Sequence, residues 1–90
     1  MCEICHSISL VDNFKTPKDY LMCLEYIKEL VDSGNFIIES QTCLFDKVKN
    51  ENGIWIDDII SHTIVCRKCG RAYTCFCDTY HGNGRFRGGR

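Results

Sequence analysis

Two cysteine pairs of one design stand near opposite ends of the chain, Cys2-Glu-Ile-Cys5 and Cys66-Arg-Lys-Cys69, the second followed by Gly70. Two residues between cysteines let both sulfurs reach one ion from a tight backbone loop. A glycine after the second cysteine suits the positive φ that such a loop often needs. Four sulfurs are what a closed tetrahedral Zn²⁺ site takes. A chain of 90 residues can build its own core, but with little margin. A staple joining residues 2–5 to residues 66–69 therefore constrains the fold more than any other feature.

Eight cysteines in 90 residues admit three readings: metal ligands, structural thiols or disulfides. No apolar run near the N-terminus has the length and basic flank of an export signal, and no apolar stretch is long enough to span a bilayer. The expected location is the cytoplasm, where structural disulfides are rare. Metal is favoured over structural thiols, and both over disulfides.

Along the chain, Ile8, Leu10, Val11 and Phe14 suggest a short extended segment. Thr16-Pro17-Lys18-Asp19 then opens a helix, with threonine as cap, proline at the first helical position and an acid in the first turn. Tyr20, Cys23, Leu24, Ile27, Leu30 and Val31 recur at the 3, 4 spacing of a buried helix face, and Ser33-Gly34-Asn35 ends it. The pattern predicts a helix over 17–33. Residues 36–39, 59–66 and 72–80 read as strands, the last two joined in a hairpin whose tip is the second cysteine pair. Asn50-Glu51-Asn52-Gly53 marks a turn in the connector before them. The expected fold class is α+β: a small antiparallel three-stranded sheet with one helix packed across it, stapled by the two cysteine knuckles. One domain is expected over 1–81, with 82–90 as a flexible, Gly/Arg-rich tail. Leu24, Ile27, Leu30, Ile37, Ile60, Ile64 and Phe76 are expected in or near the core.

The paired Cys-x-x-Cys knuckles resemble those of zinc-ribbon modules, in which two such loops clasp one ion. The resemblance covers residues 2–5 and 66–70. It implies a structural Zn²⁺ held by Cys2, Cys5, Cys66 and Cys69, and it carries no particular activity. The chain departs from the ribbon pattern in spacing: ribbon pairs commonly lie about 15–20 residues apart, whereas 60 residues separate Cys5 from Cys66. A helix and a strand must be accommodated between the knuckles.

Other donors remain open. His6 is an alternative to Cys5, although a surface histidine is the plainer reading. Cys75 and Cys77 share one face of a strand and either join the site, form a second one with His81, or serve as small apolar packers, the last being preferred. Cys23 on the helix stripe and Cys43 beside Leu44 and Phe45 read as core. A redox-active Cys-x-x-Cys starts a helix in a thioredoxin-like setting, whereas Cys66 follows a strand and precedes a turn.

No catalytic set stands out. There is no phosphate loop between a strand and a helix and no His-Glu-x-x-His helix. Asp57 and Asp58 are adjacent, so in extended chain they point apart. A Cys77, His81 and Asp78 nucleophile set is disfavoured, and His6, His62 and His81 have no matched acid nearby in sequence. No enzyme activity is expected.

Charge is divided unevenly. Residues 1–65 carry eleven acidic and five basic side chains, whereas residues 66–90 carry six basic side chains and only Asp78. A small chain that is acidic over most of its length and has no catalytic set is similar in size and character to bacterial immunity proteins. That similarity implies a basic toxin as partner, because complementary potentials speed encounter and set specificity. Trp55, Asp57, Asp58, Glu25 and Glu29 are the candidate contacts. The alternative is nucleic-acid binding by a zinc ribbon through Arg67, Lys68 and Arg71 on the hairpin and Arg85 and Arg87 in the tail. A thiol redox or metal-handling role is a third reading.

Overall fold

The structure, a computed structural model, describes residues 3–89. A one-turn helix α1 (Glu3–His6) is followed by the long helix α2 (Pro17–Asp32), then strands β1 (Phe36–Gln41), β2 (Ile59–Cys66), β3 (Ala72–Asp78) and β4 (Asn83–Gly88). The strands form one sheet in the order β1-β2-β3-β4, with every neighbouring pair antiparallel. The α+β class is as expected, but the sheet has four strands rather than three. The fourth comes from the glycine- and arginine-rich stretch expected to be a tail.

Helix α2 begins as its sequence dictates. The Thr16 side chain accepts a hydrogen bond from the Asp19 backbone N–H at 3.2 Å, and the Asp19 carboxylate accepts one from the Lys15 N–H at 3.1 Å. The first bond satisfies an orphan donor of the helix start, and the second ties the residue before the cap to the first turn. Its stripe of Tyr20, Cys23, Leu24 and Ile27 is buried against one face of the sheet. That face is built by alternation: Ile60, His62, Ile64 and Cys66 from β2, Tyr73, Cys75 and Cys77 from β3, and Gly84 and Phe86 from β4. Fully burying an aliphatic side chain such as Ile27, Ile60 or Ile64 stabilises by about 1.5–3 kcal/mol, so this layer dominates the folding energy.

Two expected core residues lie elsewhere. Ile37 is 51% exposed and Phe76 half-buried. Ile37 pairs with Val65, and Phe76 pairs with Ser61 and Arg85, so both fall on the sheet face that α2 leaves open. A bulge in β1 between Ile38 and Ser40 shifts its register against β2. Trp55 forms an isolated antiparallel bridge with Lys49 in the connector before β2. The connector turn is as read, with the Asn50 side chain accepting from the N–H groups of Asn52 (2.9 Å) and Ile54 (3.1 Å).

Strand β4 is held from both sides. Besides its ladder with β3, Val11 exchanges backbone hydrogen bonds with Phe86 (3.0 and 2.8 Å), and the Phe14 N–H donates to the Gly84 carbonyl at 2.8 Å. Gly84 permits this approach. A Cβ there would strike the Phe76 carbonyl oxygen and stand 2.9 Å from both Cys77 Cα and the Phe14 ring, closer than real side chains pack.

Candidate metal centre

The β2–β3 hairpin closes through the Cys66 N–H to the Arg71 carbonyl and the Gly70 N–H to the Cys66 carbonyl, both 2.9 Å. Gly70 has φ 76°, the left-handed conformation that glycine adopts without strain. Cys66 ends β2 on the helix-facing side, and Cys69 lies exposed in the turn. Helix α1 brings Cys5 to the same place, with its Sγ 3.3 Å from Cys69 Sγ. The sulfurs of Cys5, Cys66 and Cys69 all lie within 4.8 Å of one another.

These distances suit a shared ion. Sulfurs bound tetrahedrally at about 2.3 Å from one Zn²⁺ stand about 3.8 Å apart. The Cys5–Cys69 separation is far beyond the roughly 2.05 Å of a disulfide. The three cysteines can therefore hold a metal ion, and an all-sulfur donor set favours a soft, thiophilic one. Cys2 lies outside the described residues.

The surroundings carry positive charge. Arg67, Lys68 and Arg71 are exposed around the turn, and Arg67 also donates to the Gly34 carbonyl at 3.3 Å, tying the tip to the end of α2. Tyr73 lies beneath the cluster. It is buried, its hydroxyl meets no oxygen or nitrogen acceptor, and it faces Cys5. Burial, followed by the Cys5 sulfur, pushes the phenol up to about 12, so it keeps its proton and can donate it toward sulfur. The reading of the sequence missed this residue. Its only signal was its place two residues before Cys75, in step with the buried cysteines of the same strand.

The remaining candidates separate in space. His6 is exposed and, like Cys75, Cys77 and His81, stands outside the cluster among the described residues. Cys75 and Cys77 are buried under α2 as packing thiols. Cys75 is raised by its contact with Cys23 and by burial, and Cys77 is pushed up to about 11, chiefly by burial. His81 does have an acidic partner, contrary to expectation: its Nδ1 lies 2.7 Å from the Asp78 carboxylate. Those hydrogen bonds, that of the His81 backbone first, hold the Asp78 carboxyl below its ordinary value. Cys77 points to the opposite sheet face from Asp78, so the three do not assemble as a nucleophile set.

Asp57, Asp58, Glu25 and Glu29 are exposed. Trp55 is half-buried, its ring 5.6 Å from that of Tyr20 and 4.5 Å from the Lys49 ammonium. Lys68 and Arg71 remain at the hairpin tip, while Arg85 and Arg87 project from β4 on the open face. No helix among the described residues is long and apolar enough to cross a membrane.

Comparison with protein-family models, curated proteins and solved structures finds no match. The molecule is defined by its own geometry: a four-stranded antiparallel meander under one helix, with three converging thiols at one end.

Proposed function

We infer that this chain is a non-catalytic binding module, stapled by Zn²⁺ in a ribbon-like set of Cys2, Cys5, Cys66 and Cys69, whose partner is a basic protein. The observation that carries the reading is the loop before β2. Ile54, Ile56 and Ile59 are each more than half exposed, and Tyr80 is 77% exposed. Asp57 and Asp58 stand among them in sequence. Thr79 pins this loop: its N–H donates to the Asp58 carbonyl at 2.8 Å and its hydroxyl to the Asp57 carbonyl at 2.7 Å. Apolar side chains beside exposed carboxylates on a fixed loop offer a partner both desolvation and charge complementarity, with little ordering left to be done on binding.

A toxin that cuts nucleic acid is a concrete partner of this kind, because its substrate groove is basic. Neutralising it would require surface rather than turnover, in keeping with a chain whose Cys75 and Cys77 thiols are buried and raised. The test uses the metal-loaded chain as bait. A basic protein should be retained by the native chain and by Arg85→Ala/Arg87→Ala, and lost by Asp57→Lys/Asp58→Lys and by Ile54→Ser/Ile56→Ser. Retention unaffected by the loop variants would remove the reading.

A further inference from the structure

The sheet face turned away from α2 carries a different chemistry. Its middle is a shallow groove whose lining includes Ser61, Thr63, Thr74, Phe76, Arg85 and Arg87. On a chain with twelve acidic residues, this lining contains two guanidinium groups and no carboxylate. Among the described residues no ion pair joins Arg85 or Arg87 to an acid. Arg85 stands over the Phe76 ring, 5.6 Å from its centroid. Thr74 fixes the end of β4 by donating to the Gly89 carbonyl at 2.6 Å, and its oxygen lies 3.0 Å from that of Thr63.

We propose that this open face binds single-stranded nucleic acid, with Arg85 and Arg87 on successive phosphates and the Phe76–Arg85 pair as a stacking platform for a base. The arginines are two residues apart on one strand, hence about 6.7 Å along it. They form a row rather than converging on a point, which fits a polymeric anion better than a lone phosphate. The hairpin tip that carries Lys68 and Arg71 lies beyond the Arg87 end of this row, since Tyr73, just past that tip, pairs with Gly88. An aromatic ring under a guanidinium plane takes an unstacked base whatever its identity, whereas duplex bases are turned inward and cannot reach it. An acidic peptide satisfies the arginines but leaves the ring without a role. The acidic loop proposed for a protein partner is a separate surface, so the two readings stand or fall independently.

The experiment is fluorescence anisotropy of a labelled oligothymidylate of about ten nucleotides, within the site sizes of such grooves, with the metal-loaded full chain. Affinity should fall about tenfold between roughly 50 and 200 mM salt, as two to three phosphate contacts require. Arg85→Ala/Arg87→Ala should abolish binding. Phe76→Leu, folded by circular dichroism, should weaken it about tenfold, the loss of one stacked base. Asp57→Asn/Asp58→Asn should leave it unchanged. Absence of binding at low salt, indifference to the arginine substitutions or to Phe76→Leu, or equal competition by polyglutamate of the same charge would each overturn the proposal.

Discussion

Six of the seven described cysteines fall into two populations, and the contrast lies in what surrounds them. At the hairpin end, Cys5, Cys66 and Cys69 converge within 4.8 Å, in a turn lined by Arg67, Lys68 and Arg71 and opened by the left-handed Gly70. Beneath α2, Cys23, Cys75 and Cys77 are buried among aromatic and aliphatic side chains. There the neighbouring Cys23 sulfur and burial keep Cys75 protonated, and burial does the same for Cys77. A thiol becomes a ligand where positive charge and backbone freedom let several sulfurs face one point. It becomes a small hydrophobe where apolar packing leaves the charged form unsolvated. Cys66 and Cys75 even share the same sheet face on adjacent strands, so position in the fold rather than residue type decides.

The largest expected effect tests that division at the hairpin end. Structural zinc contributes on the order of 10 kcal/mol in zinc-finger peptides, while a domain's total stability is only about 5–15 kcal/mol. Cys66→Ser, or treatment with a strong chelator, is therefore expected to remove bound metal and abolish cooperative unfolding, read by elemental analysis and thermal denaturation. A protein that melts at the same temperature with and without metal would show that the cysteine cluster is not the staple. Under α2 the expected outcome is smaller and different in kind. Cys75→Ser places a hydroxyl in an apolar site, at about 1–3 kcal/mol, visible in urea denaturation, with metal per chain unchanged. Loss of metal in that variant would collapse the two populations into one.

Much of this was legible in the chain, and the exceptions have physical causes. Thr16, Pro17 and Asp19 announce α2 because capping is local chemistry, and the Cys-x-x-Cys spacing announces the thiol cluster because the loop geometry is local too. The fourth strand was not legible. Gly82, Asn83, Gly84, Gly88 and Gly89 have poor strand propensity, and only a period of two around Phe86 hints at pairing. What holds this segment in the sheet is tertiary: a backbone crevice that only Gly84 fits, the fully buried Phe86 ring, and the exchange of hydrogen bonds with Val11. Tyr73 was invisible for the same reason, since its hydroxyl acquires meaning only when α1 brings Cys5 to it.

Tyr73 gives the next test in order of size. Outer-shell hydrogen bonds to ligands typically affect metal affinity by about 10–100-fold. Tyr73→Phe keeps the ring and its packing against Phe36 and Phe86 and removes only the hydroxyl. It is expected to weaken metal binding about tenfold, by competition with a chromophoric chelator, while the metal-free protein loses little stability, because an uncharged thiol is only a weak acceptor for the buried hydroxyl. Equal affinity in both proteins would reduce Tyr73 to packing.

The smallest effect belongs to the layer under α2, and it separates the two regions by pH. His62 is fully buried, stacked on Phe45 with ring centroids 4.7 Å apart, and its Nε2 lies 2.8 Å from the Cys43 carbonyl. In the neutral ring Nε2–H donates to that carbonyl, while Nδ1 has no partner. Burial lowers the imidazole from its ordinary value of 6.5, the hydrogen bond to Cys43 opposing only in part. Below 6.5 the unfolded chain takes up a proton that the folded protein refuses, so stability falls with falling pH and is fully present above that value. Metal-loaded protein is expected to lose melting temperature from pH 7 toward pH 5, a window above the titration of Asp78. His62→Gln, whose amide can still donate to Cys43, should lose less over the same range. Since both proteins carry the same cysteine cluster, protonation of metal ligands contributes equally to both, and the difference between the curves reports His62 alone. Parallel curves would place the whole pH dependence at the hairpin end.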